Sequence, residues 1–254
     1  MKTMGLLAGM SWESSSVYYQ LINRQVQQRL GGVHSAQALI YSFDFGEISQ
    51  LQQSARWDEA TRRLAGVGHT LAHGGADFLA ICCNTMHLMA DDVEKAAGVP
   101  LLHIADPLGE AARKAGMTKL GLIGTRFTMD EPRIIADRLR KKFGLEVIVP
   151  DAAGRETIDS IIQNELVKGI VREDSRARYR AVMADLAGQG CQAIILGCTE
   201  IPLLVSQADA TVPLYDTMQL HAAIDQLIID GRGFPTHPRQ QPHRLHALAP
   251  FCAS

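Results

Sequence analysis

The strongest constraint on the fold is an internal repeat, in which features of the first half recur about 115 positions later. The stretch from Met117 to Gly124 resembles the first eight residues of the chain. The matched pairs, which lie 115 or 116 positions apart, are Gly5 and Gly121, Leu71 and Leu186, Gly75 and Gly190, and Cys83 and Cys198. Because two separate stretches share one register, chance identity explains them poorly. We therefore predict two similar halves.

Within each half, short apolar runs alternate with segments of helical periodicity. The run from Phe78 to Ile81 is apolar at every position, which is typical of a strand buried on both faces of a parallel sheet. The segment from Trp57 to His73 carries Leu64 and Leu71 at helical spacing. Strands joined by helices predict an α/β fold with two similar Rossmann-like domains, parallel sheets and a pseudo-two-fold duplication.

We place the first α/β domain at residues 1–105 plus 213–231 and the second at residues 106–212. The chain is expected to return to the first domain because Leu220 to Ile229 has the pattern of a further helix. Residues 232–254 form a tail rich in proline and histidine. For this tail a disordered or loosely attached segment is the preferred interpretation over a metal site.

Charge, hydropathy and cysteine content exclude several classes of protein. A net charge of −2 without a basic stripe argues against nucleic acid, and no apolar run approaches the ~20 residues of a membrane span. We interpret the first ten residues as the first strand of a cytoplasmic protein rather than as a signal peptide. Five cysteines without a C-x-x-C pair favour reduced thiols over a disulfide framework or a thiol oxidoreductase. No metal-ligand spacing or full dinucleotide motif is evident, so we expect no cofactor.

Each half presents a cysteine where a buried strand ends. Cys83 and Cys198 are followed by small polar residues and then by helical segments. A thiol at the start of a helix lies near unpaired N–H groups and the positive end of the dipole, which is expected to lower its pKa. For Cys82, Cys191 and Cys252 we adopt the simpler interpretation of small core residues.

Two thiols at matched positions fit the symmetry of racemisation. Ligands of open α/β sheets bind at the carboxyl ends of the strands, so we predict one thiol on each side of a shared cleft. One thiol would remove the α-proton from one face of the substrate, and the other would return a proton to the opposite face. Asn84, Thr85 and Thr199 are the candidates to hold the α-carboxylate and to stabilise the intermediate.

The two segments that contain Cys83 and Cys198 resemble sequence motifs of a known protein family. The stretches Cys83 to His87 and Gly197 to Pro202 resemble the two signature motifs of the aspartate/glutamate racemase family, whose members need no pyridoxal phosphate. The stretch Gly9 to Ser14 resembles the start of amino-acid racemases in the aspartate racemase branch. The resemblance runs from about Met1 to Ile229. It implies an active site between two domains, no cofactor and a homodimer. It also implies an amino-acid substrate, with aspartate or glutamate favoured and a broader range of amino acids as the alternative.

The resemblance also implies which residues bind the substrate. The corresponding segments contain Met10, Gln52, Asn84, Thr85, Thr125, Thr128 and Thr199. Lys168 matches a position where some members use lysine for the side-chain carboxylate. The segment from Phe45 to Gln53 lacks the arginine that some aspartate racemases carry, so strict aspartate specificity is not implied.

Several alternatives stay open. Maleate isomerases, hydantoin racemases and arylmalonate decarboxylases resemble this fold. The decarboxylases need only one cysteine, so two intact thiols count against that alternative. A two-lobed amino-acid-binding protein explains a cleft but not matched thiols. His87 either tunes Cys83 or is a satisfied buried histidine. For Asp106 and Glu200, stabilisation of a helix start is a simpler account than orientation of a thiol.

Overall fold

A computed structural model describes residues 1–223, whose strands form two parallel sheets. The strands of the first sheet are β1 (Met4–Ala8), β2 (Ala38–Ser42), β3 (Phe78–Ile81) and β4 (Leu101–Leu102). Those of the second are β5 (Lys119–Gly124), β6 (Glu146–Ile148), β7 (Ala193–Gly197) and β8 (Leu214–Asp216). The strand orders are β2-β1-β3-β4 and β6-β5-β7-β8, so one topology occurs twice. This confirms the predicted duplicated α/β fold.

Helices surround both sheets. They are α1 (Trp12–Leu30), α2 (Phe45–Gln53), α3 (Trp57–His73), α4 (Ala90–Ala97), α5 (Ala105–Lys114), α6 (Arg126–Asp130), α7 (Ala136–Phe143), α8 (Ala152–Asn164), α9 (Glu173–Gly188) and α10 (Thr217–Ala222). The side chain of Ser11 caps α1 by accepting a hydrogen bond from the N–H of Ser14. Within residues 1–223, no helix has the length and apolar character that a membrane span requires.

The repeated glycines and leucines pack against each other in both halves. A Cβ added to Gly5 would lie 2.6 Å from Leu79 and 3.2 Å from Leu71. A Cβ added to Gly121 would lie 2.8 Å from Ile194 and 3.0 Å from Leu186. The repeat therefore preserves one close approach between a strand, its neighbouring strand and the helix above them. A larger residue would force the neighbouring side chains to shift.

A second matched pair of glycines turns the chain into the cysteine-bearing strands. Gly75 has a φ of 104° and Gly190 a φ of 88°, and each lies shortly before its strand, β3 or β7. These left-handed conformations are strained for residues that carry a Cβ. The shared backbone conformation explains why the two glycines keep the spacing of the repeat.

Two helices exchange places between the halves. Helix α5 follows β4 of the first sheet, yet Leu108 and Ala112 pack with Leu120 of the second sheet. Helix α10 follows β8 of the second sheet, yet Met218 and Ala222 pack in the core of the first. The two helices also contact one another. The chain thus passes twice between the halves, once before α5 and once before α10.

One predicted domain limit needs correction. The second domain was expected to end at residue 212, but β8 pairs in parallel with β7 and so belongs to the second sheet. The free edge of β7 supplies the hydrogen-bonding neighbour that this short strand needs. The expected helix from Leu220 to Ile229 is described only as far as residue 223, and the tail at residues 232–254 lies outside the described residues. The other limits stay predictions.

Candidate active site

The site lies where the carboxyl ends of the two sheets face each other. Cys83 follows β3, Cys198 follows β7 and Thr125 follows β5, so each lies at the carboxyl edge of its sheet. The hydroxyl of Thr85 lies 3.4 Å from that of Thr125 and 3.2 Å from that of Thr128. A cluster of three hydroxyl groups therefore joins the cysteine turn of one half to the β5–α6 turn of the other.

Two further contacts connect the halves near the cysteines. The Ser11 hydroxyl, from the turn between β1 and α1, donates to Glu200 Oε1 at 3.2 Å. The rings of Trp57 and Phe127 meet edge to face, with centroids 5.6 Å apart. These contacts close the two halves around a shared cleft.

Cys198 is buried and bonded to a carboxylate. Its side chain is 8% exposed, and its Sγ donates to Glu200 Oε2 at 3.0 Å. The Thr199 hydroxyl donates to the same oxygen at 2.8 Å. Burial raises the pKa of the Cys198 thiol well above its usual value, and the charge and hydrogen bond of Glu200 raise it further, as does the nearby Cys83.

Cys83 has no comparable carboxylate bond. Burial raises the pKa of its thiol to about 11, while hydrogen bonds from the backbone N–H groups of Met86 and Thr85 act in the opposite direction. The charge of Glu200 contributes a smaller rise to this pKa. The two matched thiols thus differ in their proton acceptors, because only Cys198 is hydrogen-bonded to a carboxylate among the described residues.

The expectation that the turns lower the thiol pKa values is wrong. The cysteines are followed by short 3₁₀ helices, Thr85–Met89 and Ile201–Leu203, rather than by the first turn of an α-helix. A short 3₁₀ segment aligns few peptide dipoles, and loss of hydration outweighs the few N–H groups that it offers. Both thiols are therefore protonated at neutral pH in this conformation.

Asn84 offers an unused acceptor in the cleft region. The Thr217 hydroxyl donates to the carbonyl of Leu196 at 2.9 Å, so its oxygen accepts from Asn84 Nδ2 at 3.0 Å. This fixes the orientation of the Asn84 amide. Its Oδ1 is buried and has no hydrogen-bond partner among the described residues. Such a buried oxygen is costly unless a water molecule or a ligand donates to it.

The other predicted binding residues lie in the hydroxyl cluster, in the apolar core or at the end of a helix. Thr125 caps α6 through the N–H of Thr128, and both hydroxyls belong to the cluster described above. Met10 is buried in the apolar core of the first half. Gln52 is half-buried in the last turn of α2.

Lys168 lies in the segment between α8 and α9. Helix α8 stops at Asn164, and Lys168 closes a 3₁₀ turn, Leu166–Lys168, before the left-handed Gly169. The chain then enters α9, which returns toward the start of β7. Lys168 is exposed, and its ammonium has no hydrogen bond or ion pair with another described side chain.

The sequence interpretation undervalued Glu200 and did not assign Ser11, Thr217, Trp57 or Phe127 to the site. Glu200 does stand at the start of the 3₁₀ helix Ile201–Leu203, but its carboxylate makes no capping hydrogen bond there and instead accepts one from the Cys198 thiol. Asp106 instead pairs with Arg138 and Lys142, at 2.6 and 2.8 Å, away from the thiols. An acid two residues after a candidate thiol was the available signal for Glu200. The remaining contacts depend on the approach of the two halves, and no local pattern indicates them.

Two equivalent parallel sheets, each bringing one cysteine to a common cleft, define the class of two-domain α/β racemases. The family described as Asp/Glu/Hydantoin racemase matches residues 7–224. The chain belongs to this family and is an isomerase. Membership supports amino-acid racemase activity.

Known proteins similar to this chain carry racemase descriptions. The chain is 24% identical over 221 residues to the broad specificity amino-acid racemase RacX of Bacillus subtilis, covering 84% of this chain and 92% of that protein. A crystal structure from Yersinia pestis, assigned to the Asp/Glu racemases, superposes with a TM-score of 0.84 at 48% identity, covering 89% of this chain and 97% of that one. An aspartate racemase homologue from Pyrococcus horikoshii OT3 superposes with a TM-score of 0.75 at 30% identity, covering 89% and 97%.

Proposed function

We propose that this protein is a cofactor-independent amino-acid racemase, with aspartate or glutamate as favoured substrates, in which Cys83 and Cys198 are two opposed acid/base thiols. The matched positions of these cysteines after β3 and β7 carry the proposal. Their electrostatic interaction, through which Cys83 raises the pKa of Cys198, supports a shared site. A reaction that inverts one carbon in both directions needs a proton acceptor and a proton donor on opposite faces.

Glu200 supplies the acceptor for the first proton. The Cys198 Sγ–H already donates to its Oε2 at 3.0 Å, so a short shift of that proton leaves a thiolate. The thiolate then removes the α-proton of the bound substrate. Hydrogen bonds from Ser11 and Thr199 hold the carboxylate in place during this transfer.

Cys83 acts as the acid in the same direction. A thiol with a pKa of about 11 is protonated at neutral pH and can return a proton to the opposite face. The N–H groups of Thr85 and Met86 then stabilise the thiolate that is left behind. For the other enantiomer the reaction starts from the state that this step leaves, with Cys83 as the thiolate and Cys198 as the thiol, so the two roles exchange.

The polar groups of the cleft fit an α-amino acid. Asn84 Oδ1 is the proposed acceptor for the α-ammonium, whose positive charge also lowers the pKa of nearby thiols. The hydroxyls of Thr85, Thr125 and Thr128 are proposed to donate to the α-carboxylate and to stabilise the charge that develops on it. Maleate carries no ammonium group, so the acceptor favours a racemase over a maleate isomerase.

The assignment of the remaining predicted residues is also part of the proposal. Thr199 holds Glu200. Gln52, in the last turn of α2, and Lys168, in the 3₁₀ turn after α8, are proposed to reach the substrate. Met10 is proposed to shape the turn between β1 and α1 by packing in the apolar core of the first half. The descriptions of the relatives support an amino-acid substrate, and the acidic preference rests on the match at Lys168.

One experiment tests the activity and the thiols together. The protein is incubated with a panel of L-amino acids in D₂O, and loss of the α-proton signal is followed by NMR. We expect exchange and inversion, with aspartate or glutamate fastest. Cys83→Ala and Cys198→Ala should each abolish turnover while leaving the fold intact, because either variant lacks one proton-transfer group. Cys191→Ala, which removes a buried cysteine of the second half, should retain activity. Full turnover in folded Cys83→Ala would refute the two-thiol mechanism.

We also propose that the enzyme is a homodimer of the cytoplasm. The outer edge of the first sheet is β2, where Ile40 is 47% and Tyr41 44% exposed, and a second copy would cover this apolar edge. The described cysteines are free thiols, which persist in a reducing compartment. Light scattering should give twice the mass of one chain, and cell fractionation should place the protein with cytoplasmic markers. A monomeric mass or a secreted protein would contradict these proposals.

A further inference from the structure

His87 is held by two backbone groups on opposite sides of its ring. Its Nδ1 lies 2.9 Å from the carbonyl oxygen of Cys83, and its Nε2 lies 3.1 Å from the backbone nitrogen of Ile104. The side chain is 3% exposed. The imidazole therefore bridges the cysteine turn and the segment that leads into α5.

These partners fix the tautomer. The N–H of Ile104 can only donate, so Nε2 accepts, and the ring proton resides on Nδ1 and is donated to the Cys83 carbonyl. Burial, followed by the nearby His221, lowers the pKa of His87 to about 3, so the ring stays neutral at working pH. With both nitrogens engaged by the backbone, His87 has no free nitrogen for proton transfer.

The ring also belongs to a cluster at the passage between the halves. His103 and His221 lie 4.7 and 5.7 Å from it, measured between ring centroids. His221, in α10, donates from Nε2 to the Leu102 carbonyl in β4 at 2.9 Å and accepts from the Tyr18 hydroxyl at 2.9 Å. The cluster therefore contacts both places where the chain passes from one half to the other.

We propose that His87 is a positioning residue that ties the Cys83 turn to the passage into the second half, and so sets the distance and direction of this thiol relative to the cleft. The inference rests on the proposed function of Cys83 and assigns no acid/base step to His87. Its physical basis is that a hydrogen-bonded carbonyl fixes the peptide group that carries the reacting side chain. A displacement of about 1 Å in a reacting group can cost about a hundredfold in rate.

Three variants test the role. His87→Leu removes both hydrogen bonds and should lower kcat by about a hundredfold, as expected for a displaced reacting group. His87→Asn keeps a donor near the position of Nδ1, so it should recover most of this loss. His87→Gln keeps an acceptor near the position of Nε2 and should recover little. Thermal unfolding identifies any variant that fails to fold.

A second readout does not depend on racemase activity. Iodoacetamide labelling, quantified by peptide mass spectrometry, gives the alkylation rates of Cys83 and Cys198 in one sample. In His87→Leu the loosened turn should expose Cys83, so the ratio of its rate to that of Cys198 should rise several-fold. If the wild-type protein had no racemase activity, this ratio of alkylation rates could still be interpreted. The failure of the proposed function and the failure of this inference are therefore distinguishable.

His103→Leu is the matched control. His103 is equally buried in the same cluster, but its Nδ1 accepts from the N–H of Ala105 and not from the cysteine turn. It should lower stability without changing the alkylation ratio. Equal losses of kcat in the two leucine variants, no recovery in His87→Asn, or an unchanged alkylation ratio in His87→Leu would overturn the proposal.

Discussion

Replacement of Glu200 by glutamine should slow racemisation while making Cys198 more reactive. The carboxylate accepts hydrogen bonds from Cys198 at 3.0 Å, Thr199 at 2.8 Å and Ser11 at 3.2 Å. A hydrogen bond to a charged group contributes about 1.5–3 kcal/mol. Because the carboxylate takes up the proton as the reaction proceeds, loss of an interaction of this size in the transition state should lower kcat by about 10- to 100-fold, since 1.4 kcal/mol corresponds to a factor of ten. The proton of Cys198 would then have no carboxylate acceptor inside the closed cleft.

Reactivity toward alkylation should change in the opposite direction. The charge of Glu200 and its hydrogen bond both raise the pKa of Cys198. Without them that pKa falls, the thiolate fraction at mildly alkaline pH grows, and iodoacetamide should modify Cys198 faster. Glu173→Gln, which neutralises an exposed carboxylate on α9, is the control for a simple change of charge and should alter neither rate. Unchanged turnover in Glu200→Gln, or slower alkylation of Cys198, would refute the role of this carboxylate as proton acceptor.

Three further predictions concern specificity, acid stability and cofactors. Lys168→Met should lower kcat/KM for aspartate by about 10- to 100-fold and change it little for alanine, since a charge-assisted bond contributes about 1.5–3 kcal/mol; equal losses would assign Lys168 to the scaffold. Burial lowers the pKa of His87 to about 3 and that of His221 to about 4 from 6.5, so below 6.5 the unfolded chain binds protons that the folded chain does not. Stability measured by urea unfolding should therefore fall by about 2 kcal/mol for each histidine between about pH 7.5 and about pH 5, and His221→Asn should reduce this pH dependence. Activity should survive dialysis against chelator and hydroxylamine; a loss restored by metal or pyridoxal phosphate would contradict cofactor independence.

Much of the architecture was predictable because it depends on local pattern and on register. The apolar run from Phe78 to Ile81 is a buried central strand, and the segment from Trp57 to His73 is a helix with the expected limits. Gly5 and Gly121 recur because each permits the same strand-to-helix contact. Which side chains of a helix are buried was less predictable. Val17 has the spacing of a core residue in α1 but is 39% exposed, since Tyr18, Ile22 and Val26 form the buried face.

The duplicated parallel α/β fold, the equivalent positions of Cys83 and Cys198, and the family resemblance could all be inferred from the sequence. Each of these follows from periodicity, from glycine placement or from short contiguous motifs. The rise in the thiol pKa values depends on the packing of the two halves, because desolvation depends on how closely they approach. Tertiary structure also decided that Ser11 meets Glu200, a residue 189 positions away, and that His87 bonds to Ile104 rather than to a thiol. Such contacts form only when distant segments pack together, and no local pattern in the chain encodes their distances or directions.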